Sequence, residues 1–243
     1  MGETGFRCVN EPEIRLSGIE KILMLGDPGC TGFYHDSQKV LGEILKQKTD
    51  LVFILGDLVF TGSEKEFHEM FDFCNARVKA PIYALSGNHD FLHYSQFLGL
   101  KTYALVLDRH LCFFLCDAAG HFLEKDVAFL KKELEKYPGK DLILLMHIPP
   151  PLPGSRKTLK GGEWEKVKAV LDCHKKRIRH VFCAHVHGFY EYEAGGYPVT
   201  ITAGGGAAMI HTLPESGQRL FHAVEVDLKR DGSLNRKVIP VAV

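Results

Sequence analysis

Ile82-Tyr83-Ala84-Leu85-Ser86-Gly87-Asn88-His89-Asp90 runs from four apolar residues into a turn glycine and three side chains able to bind protons or metal ions. A short apolar run bounded by turn residues predicts a strand buried on both faces. The same grammar recurs along the chain. Ile22–Leu25 leads into Gly26-Asp27, Leu51–Leu55 into Gly56-Asp57, and Leu142–Met146 into His147. Ile178–Cys183 leads into Ala184-His185-Val186-His187, and Leu111–Cys116 into Asp117. In α/β sheets the carboxyl ends of the strands line the ligand crevice, so these side chains are expected to converge on one rim.

Between the apolar runs lie amphipathic stretches. Ser37 to Lys48, Phe122 to Tyr137 (stopped by Pro138-Gly139) and Glu163 to His174 have helical spacing. Ser63-Glu64-Lys65-Glu66 is a capping box that opens a further helix toward Cys74. After Gly188 the helical signal stops, and Phe189–Glu193, Tyr197–Thr202, Arg219–Leu228 and Arg236–Val243 predict strands joined by glycine-rich or Asp-Gly turns. The pattern is α/β units first and then β-rich. It contains no repeat and no linker, so residues 1–243 are expected to form one domain with 1–20 as an N-terminal extension.

Composition narrows the function classes. The chain has 243 residues, 45% hydrophobic, with 30 Lys+Arg against 30 Asp+Glu and no net charge. Disorder, collagen and coiled coil are excluded, and a protein built mainly to bind nucleic acid is disfavoured. Seven cysteines cannot all pair. Most sit singly in apolar runs without a CxxC motif, as free buried thiols of a reducing compartment do. Met1-Gly2-Glu3-Thr4-Gly5-Phe6 has neither a basic nor an apolar leader segment, and no run approaches the ~20 residues of a membrane span. A soluble, cytoplasmic protein is expected.

Singly, a Gly-Asp after a strand is a turn, and a histidine at a strand end is a structural residue. Together, two carboxylates, an amide and four histidines in phase with the strands make a set of oxygen and imidazole donors. Such a set suits Mn, Fe, Zn or Ni better than a thiolate site would. His185 and His187, at i and i+2, would share a face if they lay on a strand.

The ordered set Asp27, Gly56-Asp57, Gly87-Asn88-His89-Asp90, His147 and His185-Val186-His187 resembles the calcineurin-like metallophosphoesterases, whose pattern is D-x-H, GD, GNH[DE], H and GHxH. Members include purple acid phosphatases and cyclic nucleotide phosphodiesterases. The resemblance covers nearly the whole chain from Ile22. It implies an α/β fold, a four-layer sandwich of two mixed β-sheets flanked by α-helices with a dinuclear metal centre at one edge. It also implies that Asp57 bridges two divalent ions, that Asn88, His147 and His185 complete the second site, and that Asp27 and His187 belong to the first. His89 would stand beside the leaving group as proton donor or charge stabiliser.

Two departures follow. GHxH is Ala184-His185-Val186-His187, a change between small residues. D-x-H is Asp27-Pro28-Gly29, so the first site lacks an imidazole. His35 or Cys30 is the candidate substitute, and Gly29→His is expected to tighten the site provided the loop after Pro28 can place the ring, which a glycine kept for a positive φ would resist. His211 is a candidate pocket residue, and Gly204-Gly205-Gly206 before it a candidate close approach of backbone to the site. His222 is expected to be structural and Asp117 a loop cap. The loop from Pro149 to Gly162 carries Arg156, Lys157 and Lys160, a candidate substrate lid.

The expected function is hydrolysis of a small phosphodiester or phosphomonoester by a hydroxide that bridges two metals about 3.5–4 Å apart. The competing expectations are a degenerate, non-catalytic or single-metal phosphate-binding member, motivated by Gly29, and a nuclease, which zero net charge disfavours.

Overall fold

The computed structural model describes residues 4–152, 154–211 and 213–242. Its strands are β1 (Gly5–Phe6), β2 (Glu13–Arg15), β3 (Lys21–Leu25), β4 (Leu51–Ile54), β5 (Pro81–Ala84), β6 (Tyr103–Val106) and β7 (His110–Phe114). They continue with β8 (Asp141–Leu145), β9 (Ile178–Cys183), β10 (Gly188–Ala194), β11 (Tyr197–Ala203), β12 (Phe221–Leu228) and β13 (Leu234–Val241). The helices are α1 (His35–Ile44), α2 (Glu64–Asn75), α3 (Tyr94–Leu98), α4 (Glu124–Lys136) and α5 (Glu163–Asp172). Every apolar run singled out above forms a strand, and the four amphipathic stretches form α1, α2, α4 and α5. At the start of α2, the Glu66 carboxylate accepts hydrogen bonds from the backbone N–H of Thr61 and Ser63 and from the Ser63 hydroxyl.

The strands build two mixed sheets, ordered β1-β5-β4-β3-β12-β13 and β10-β11-β9-β8-β7-β6-β2. β3, β4 and β5 are parallel neighbours in the first, and β7, β8 and β9 in the second. Alternation along a strand divides its side chains between two cores. From β3, β4 and the residue after it, Ile22, Met24, Phe53 and Leu55 join the main core between the sheets. Leu23, Leu25, Val52 and Ile54 pack outward on Val40, Leu41 and Ile44 of α1 and Phe67 and Met70 of α2. On the other side Leu130 and Leu134 of α4 and Val167 and Leu171 of α5 join the main core. The expected sandwich of two mixed sheets with flanking helices is what forms.

Aromatic side chains lock the sheets together. Phe53 meets Phe114 edge-on at 4.9 Å, Tyr103 stacks on Phe114 at 4.3 Å, and the Tyr103 hydroxyl donates to the Ala84 carbonyl at 2.8 Å. Residues 5–6 and 13–15, within the stretch expected as an N-terminal extension, are edge strands: β1 beside β5 in one sheet, β2 beside β6 in the other. All seven cysteines are free; Cys30, Cys74, Cys112 and Cys183 are buried, while Cys8 and Cys173 are exposed. No helix among the described residues is long and apolar enough to cross a membrane.

His222 is fully buried, its Nδ1 3.0 Å from the Leu220 carbonyl, and burial pushes its pKa down to about 4. The folded state therefore holds it neutral while the unfolded chain takes up a proton near pH 6.5, so acid favours unfolding as pH falls from about 6.5 to 4. Between pH 7 and pH 5 the metal-stripped wild type is expected to lose about 2 kcal/mol of stability relative to His222→Leu. Urea unfolding of both proteins at the two pH values reads this difference, and parallel pH dependences would contradict it.

Candidate metal centre

Five parallel-strand ends deliver the polar residues to one edge that spans both sheets: β3, β4 and β5 from the first, β8 and β9 from the second. Asp27 (φ 58°), Asp57 (φ 55°) and His185 (φ 68°) are the non-glycine residues with positive φ among the described residues. Left-handed backbone is costly for residues with a Cβ and tends to gather where function fixes a side chain. Here the chain turns sharply at each strand end and leaves the side chain on the rim.

The polar groups fall into two neighbouring clusters, Asp57–His147–His185 and Asp27–Cys30–His187. In the first, His147 Nε2 lies 3.4 Å from Asp57 Oδ1 and 3.2 Å from Asn88 Oδ1. In the second, His187 Nε2 lies 3.5 Å from Asp27 Oδ1. Donors bonded at about 2.0–2.2 Å to one tetrahedral ion stand roughly 3.3–3.6 Å apart, so both clusters have the dimensions of a divalent-metal site. Their chemistry fits as well. Asp27 and Asp57 are almost fully buried and need compensating positive charge.

Partners on the far side of each ring fix its orientation. His147 Nδ1 is 2.8 Å from the Leu55 carbonyl and His187 Nδ1 2.6 Å from that of Ala208, so each ring donates from Nδ1 and turns Nε2 to its cluster. Burial opposes charge on His147, but the adjacent Asp57 carboxylate outweighs it and raises the ring to about 10. Asp57 is in turn held below the usual carboxylate range: burial pushes it up, and His147 and the His89 backbone N–H pull it down further. For His185 burial prevails, reinforced by the His147 charge, and the ring is pushed down to about 3.

His185 and His187 do not share a face of a strand. β9 ends at Cys183, Val186 N–H closes onto the Ala184 carbonyl at 2.7 Å, and the two rings turn into different clusters. His89 is half-buried at the rim. Its backbone N–H donates to Asp57 Oδ1 at 3.0 Å, its Nδ1 is 2.7 Å from the Phe60 carbonyl, and its ring stacks on Phe60 at 5.8 Å.

His211 joins the site: its Nδ1 accepts the His187 N–H at 3.0 Å and the two rings stand 4.3 Å apart. The segment 204–208 laces to the Asp27 loop, with Gly205 N–H on the Gly26 carbonyl and Ala207 N–H on that of Asp27, both at 2.9 Å. Cys30 enters the second cluster and His35 does not, being exposed at the start of α1 beside Gln38 and Lys39. In the loop after His147, buried Leu152 and Leu159 anchor the chain and Arg156, Lys157 and Lys160 are exposed. The Lys157 charge reaches His185 and His211; among the described residues no hydrogen bond or ion pair places Arg156 or Lys160 at the clusters. Pro153 lies outside the described residues.

The positive-φ explanation for Gly29 is wrong. Its φ is not positive, and a Cβ there would stand 1.9 Å from the Leu58 carbonyl oxygen, so the expected Gly29→His repair has no room. Gly87 is constrained likewise, since a Cβ would strike Asp57 Oδ1 at 2.2 Å.

Two supporting carboxylates had no role assigned at the site from the sequence beyond that of a loop cap for Asp117. Buried Asp90 accepts the N–H groups of Asp57 (2.9 Å), Val59 (3.2 Å) and Gly87 (2.8 Å), tying the β4 and β5 loops together. Asp117 does cap a loop, and the loop is the one that carries the site: it accepts the N–H groups of His147 (3.0 Å) and Ile148 (2.7 Å). The signal in both cases is an aspartate at the end of a buried strand with no surface role.

The profile of the calcineurin-like phosphoesterases matches residues 20–189. A probable glycerophosphodiester phosphodiesterase GpdQ of Arcobacter nitrofigilis is 28% identical over 162 residues, 59% of this chain and 58% of that relative. The match thus spans little more than half the relative's length. The purple acid phosphatase PPD1 from yellow lupin (Lupinus luteus) seeds has a TM-score of 0.70 at 15% identity, covering 87% of this chain and 49% of that one. A dimetal phosphatase from Danio rerio has a TM-score of 0.66 at 12% identity, covering 92% and 99%. These two structures share the fold. The profile match extends over well more than half of the sequence, and the chain belongs to the calcineurin-like phosphoesterase family.

Proposed function

We propose that residues 1–243 act as a single-domain, metal-dependent hydrolase of phosphate esters, taking small phosphodiesters or phosphomonoesters with the help of two divalent ions. The observation that carries this reading is the pair of adjacent donor clusters, each with a buried carboxylate and an imidazole fixed through its Nδ1. Asp57, Asn88, His147 and His185 would hold one ion; Asp27, Asp57 and His187 would hold the other, with Asp57 shared.

When bound, two such ions make water nucleophilic at neutral pH and neutralise the charge of a phosphoryl group. The protein's own groups do the rest. His89, oriented by the Phe60 carbonyl, would protonate the departing alkoxide from Nε2. Lys157, whose charge reaches the rim, would attract the anionic ester and orient its non-bridging oxygens. The similarity to the probable glycerophosphodiester phosphodiesterase of Arcobacter nitrofigilis supports the reaction class.

The test is hydrolysis of bis(p-nitrophenyl) phosphate and p-nitrophenyl phosphate by chelator-stripped protein refilled with Mn²⁺ or Zn²⁺. Turnover of at least one ester should vanish on stripping and return on refilling. Metal-loaded protein that hydrolyses neither ester would support the non-catalytic alternative.

Asp90 gives a second expectation. It is fully buried and accepts three backbone N–H groups of the loops that carry the site without entering either cluster. Removing such a support lowers metal affinity by about 10–100-fold. Asp90→Ala should show that loss in a Mn²⁺ titration, and Asp90→Asn, which keeps one acceptor, a smaller one. Unchanged affinity in Asp90→Ala would show that the loops hold their shape without it.

A further inference from the structure

We propose that Cys30 ligates the same ion as Asp27 and His187, so that a thiolate occupies the coordination position left open by Gly29. The inference rests on the two-ion reading above and adds to it a sulfur donor at one site.

The backbone dictates the substitution. Gly29 is pressed against the Leu58 carbonyl oxygen, where a Cβ would stand at 1.9 Å, so residue 29 cannot send a side chain to the cluster. Its N–H donates to the Asp57 carbonyl at 3.1 Å, and Gly32 N–H closes a turn onto the Gly29 carbonyl at 2.9 Å. This turn brings the next side chain back over Asp27. Thr31 holds the turn in place, its Oγ1 accepting the Ala208 N–H at 2.9 Å, and Ala208 is also the residue whose carbonyl orients His187.

The resulting triangle has the proportions of a metal face. Cys30 Sγ lies 3.1 Å from His187 Nε2 and 3.9 Å from Asp27 Oδ1, and those two atoms are 3.5 Å apart. Bonds of about 2.3 Å to sulfur and 2.0–2.2 Å to nitrogen and oxygen at tetrahedral angles give donor separations of roughly 3.3–3.7 Å. The observed separations bracket that range, so an ion fits after shifts of a few tenths of an ångström. The other buried cysteines are placed differently. Cys74, Cys112 and Cys183 lie in the hydrophobic cores, and none belongs to a donor cluster.

The chemical consequence is a pair of unlike sites. Sulfur with one imidazole and carboxylate oxygen favours zinc or iron, whereas Asp57, Asn88, His147 and His185 offer oxygen and nitrogen only and suit manganese equally well. Binding at Cys30 breaks the S–H bond, forms the sulfur–metal bond and releases one proton to water.

The test is a titration of the metal-stripped 243-residue protein with Co²⁺, followed by absorption. The wild type should develop a near-ultraviolet thiolate-to-cobalt charge-transfer band that grows over only one of two equivalents. Cys30→Ser should keep the visible d–d absorption, lose that band and bind the corresponding equivalent at least about 100-fold more weakly; Cys74→Ala should retain the band. Two equivalents bound without charge transfer in the wild type, or a band that survives in Cys30→Ser, would overturn the role of Cys30 and leave the two-ion reading standing. No cobalt binding would overturn both. Zinc-edge X-ray absorption of the zinc-loaded wild type needs no variant and covers the case of a misfolded substitution. It should show one sulfur neighbour at about 2.3 Å per two zinc ions, and only oxygen and nitrogen neighbours would refute the assignment.

Discussion

Asp57→Asn is expected to lower turnover at least about 1000-fold and to weaken both metal ions, because the carboxylate proposed as shared would serve both sites and stabilisation by bound ions is worth several kcal/mol. The geometry makes the residue central. Asp57 is 2% exposed, takes the His89 N–H on Oδ1, faces His147 Nε2 at 3.4 Å and also faces the Cys30 thiol. An amide keeps the size and one acceptor but removes the negative charge, and its NH₂ group would point at donors or cations. The loss should therefore appear in metal content before any loss of fold. Elemental analysis after gel filtration, with circular dichroism as the control for folding, reads it. Two retained ions together with near-normal turnover would remove Asp57 from the bridging role.

His89→Ala should leave both ions in place and cost about 10²–10⁴ in rate on esters with poor leaving groups, the range for a positioned proton donor. The Nδ1 contact with the Phe60 carbonyl holds the ring at the rim, and among the described residues its Nε2 makes no hydrogen bond. A nitrophenolate departs without needing a proton, so on nitrophenyl esters the defect should shrink to a small factor. Comparing an alkyl with a nitrophenyl ester separates the two roles. An equal loss on both, with normal metal content, would make His89 a charge stabiliser, and a loss of metal would make it a ligand.

The strands β3, β4, β5, β7, β8 and β9 were legible because each is a short apolar run almost wholly buried, as Leu51–Ile54 shows by dividing its side chains between the two cores. The site was legible because the polar residues follow those runs at once, which in parallel strands puts them on one edge. What the sequence concealed depends on long-range contact. β1 and β2 are two and three residues long, and only their pairing with β5 and β6 makes them strands. The reason for Gly29 lies in Leu58, far along the chain, and not in its own φ. The spacing of His185 and His187 suggested one face of a strand, but the left-handed turn at His185 separates the rings into two clusters. Asp90 was visible within its motif, yet its three backbone partners appear only once the β4 and β5 loops are side by side.

Whether two ions share this rim is read from anomalous scattering by crystals soaked in Mn²⁺ or Zn²⁺. Two peaks about 3.5–4 Å apart are expected, one among Asp57, Asn88, His147 and His185 and the other among Asp27, Asp57 and His187. A single peak, or peaks away from these side chains, would contradict the two-ion reading.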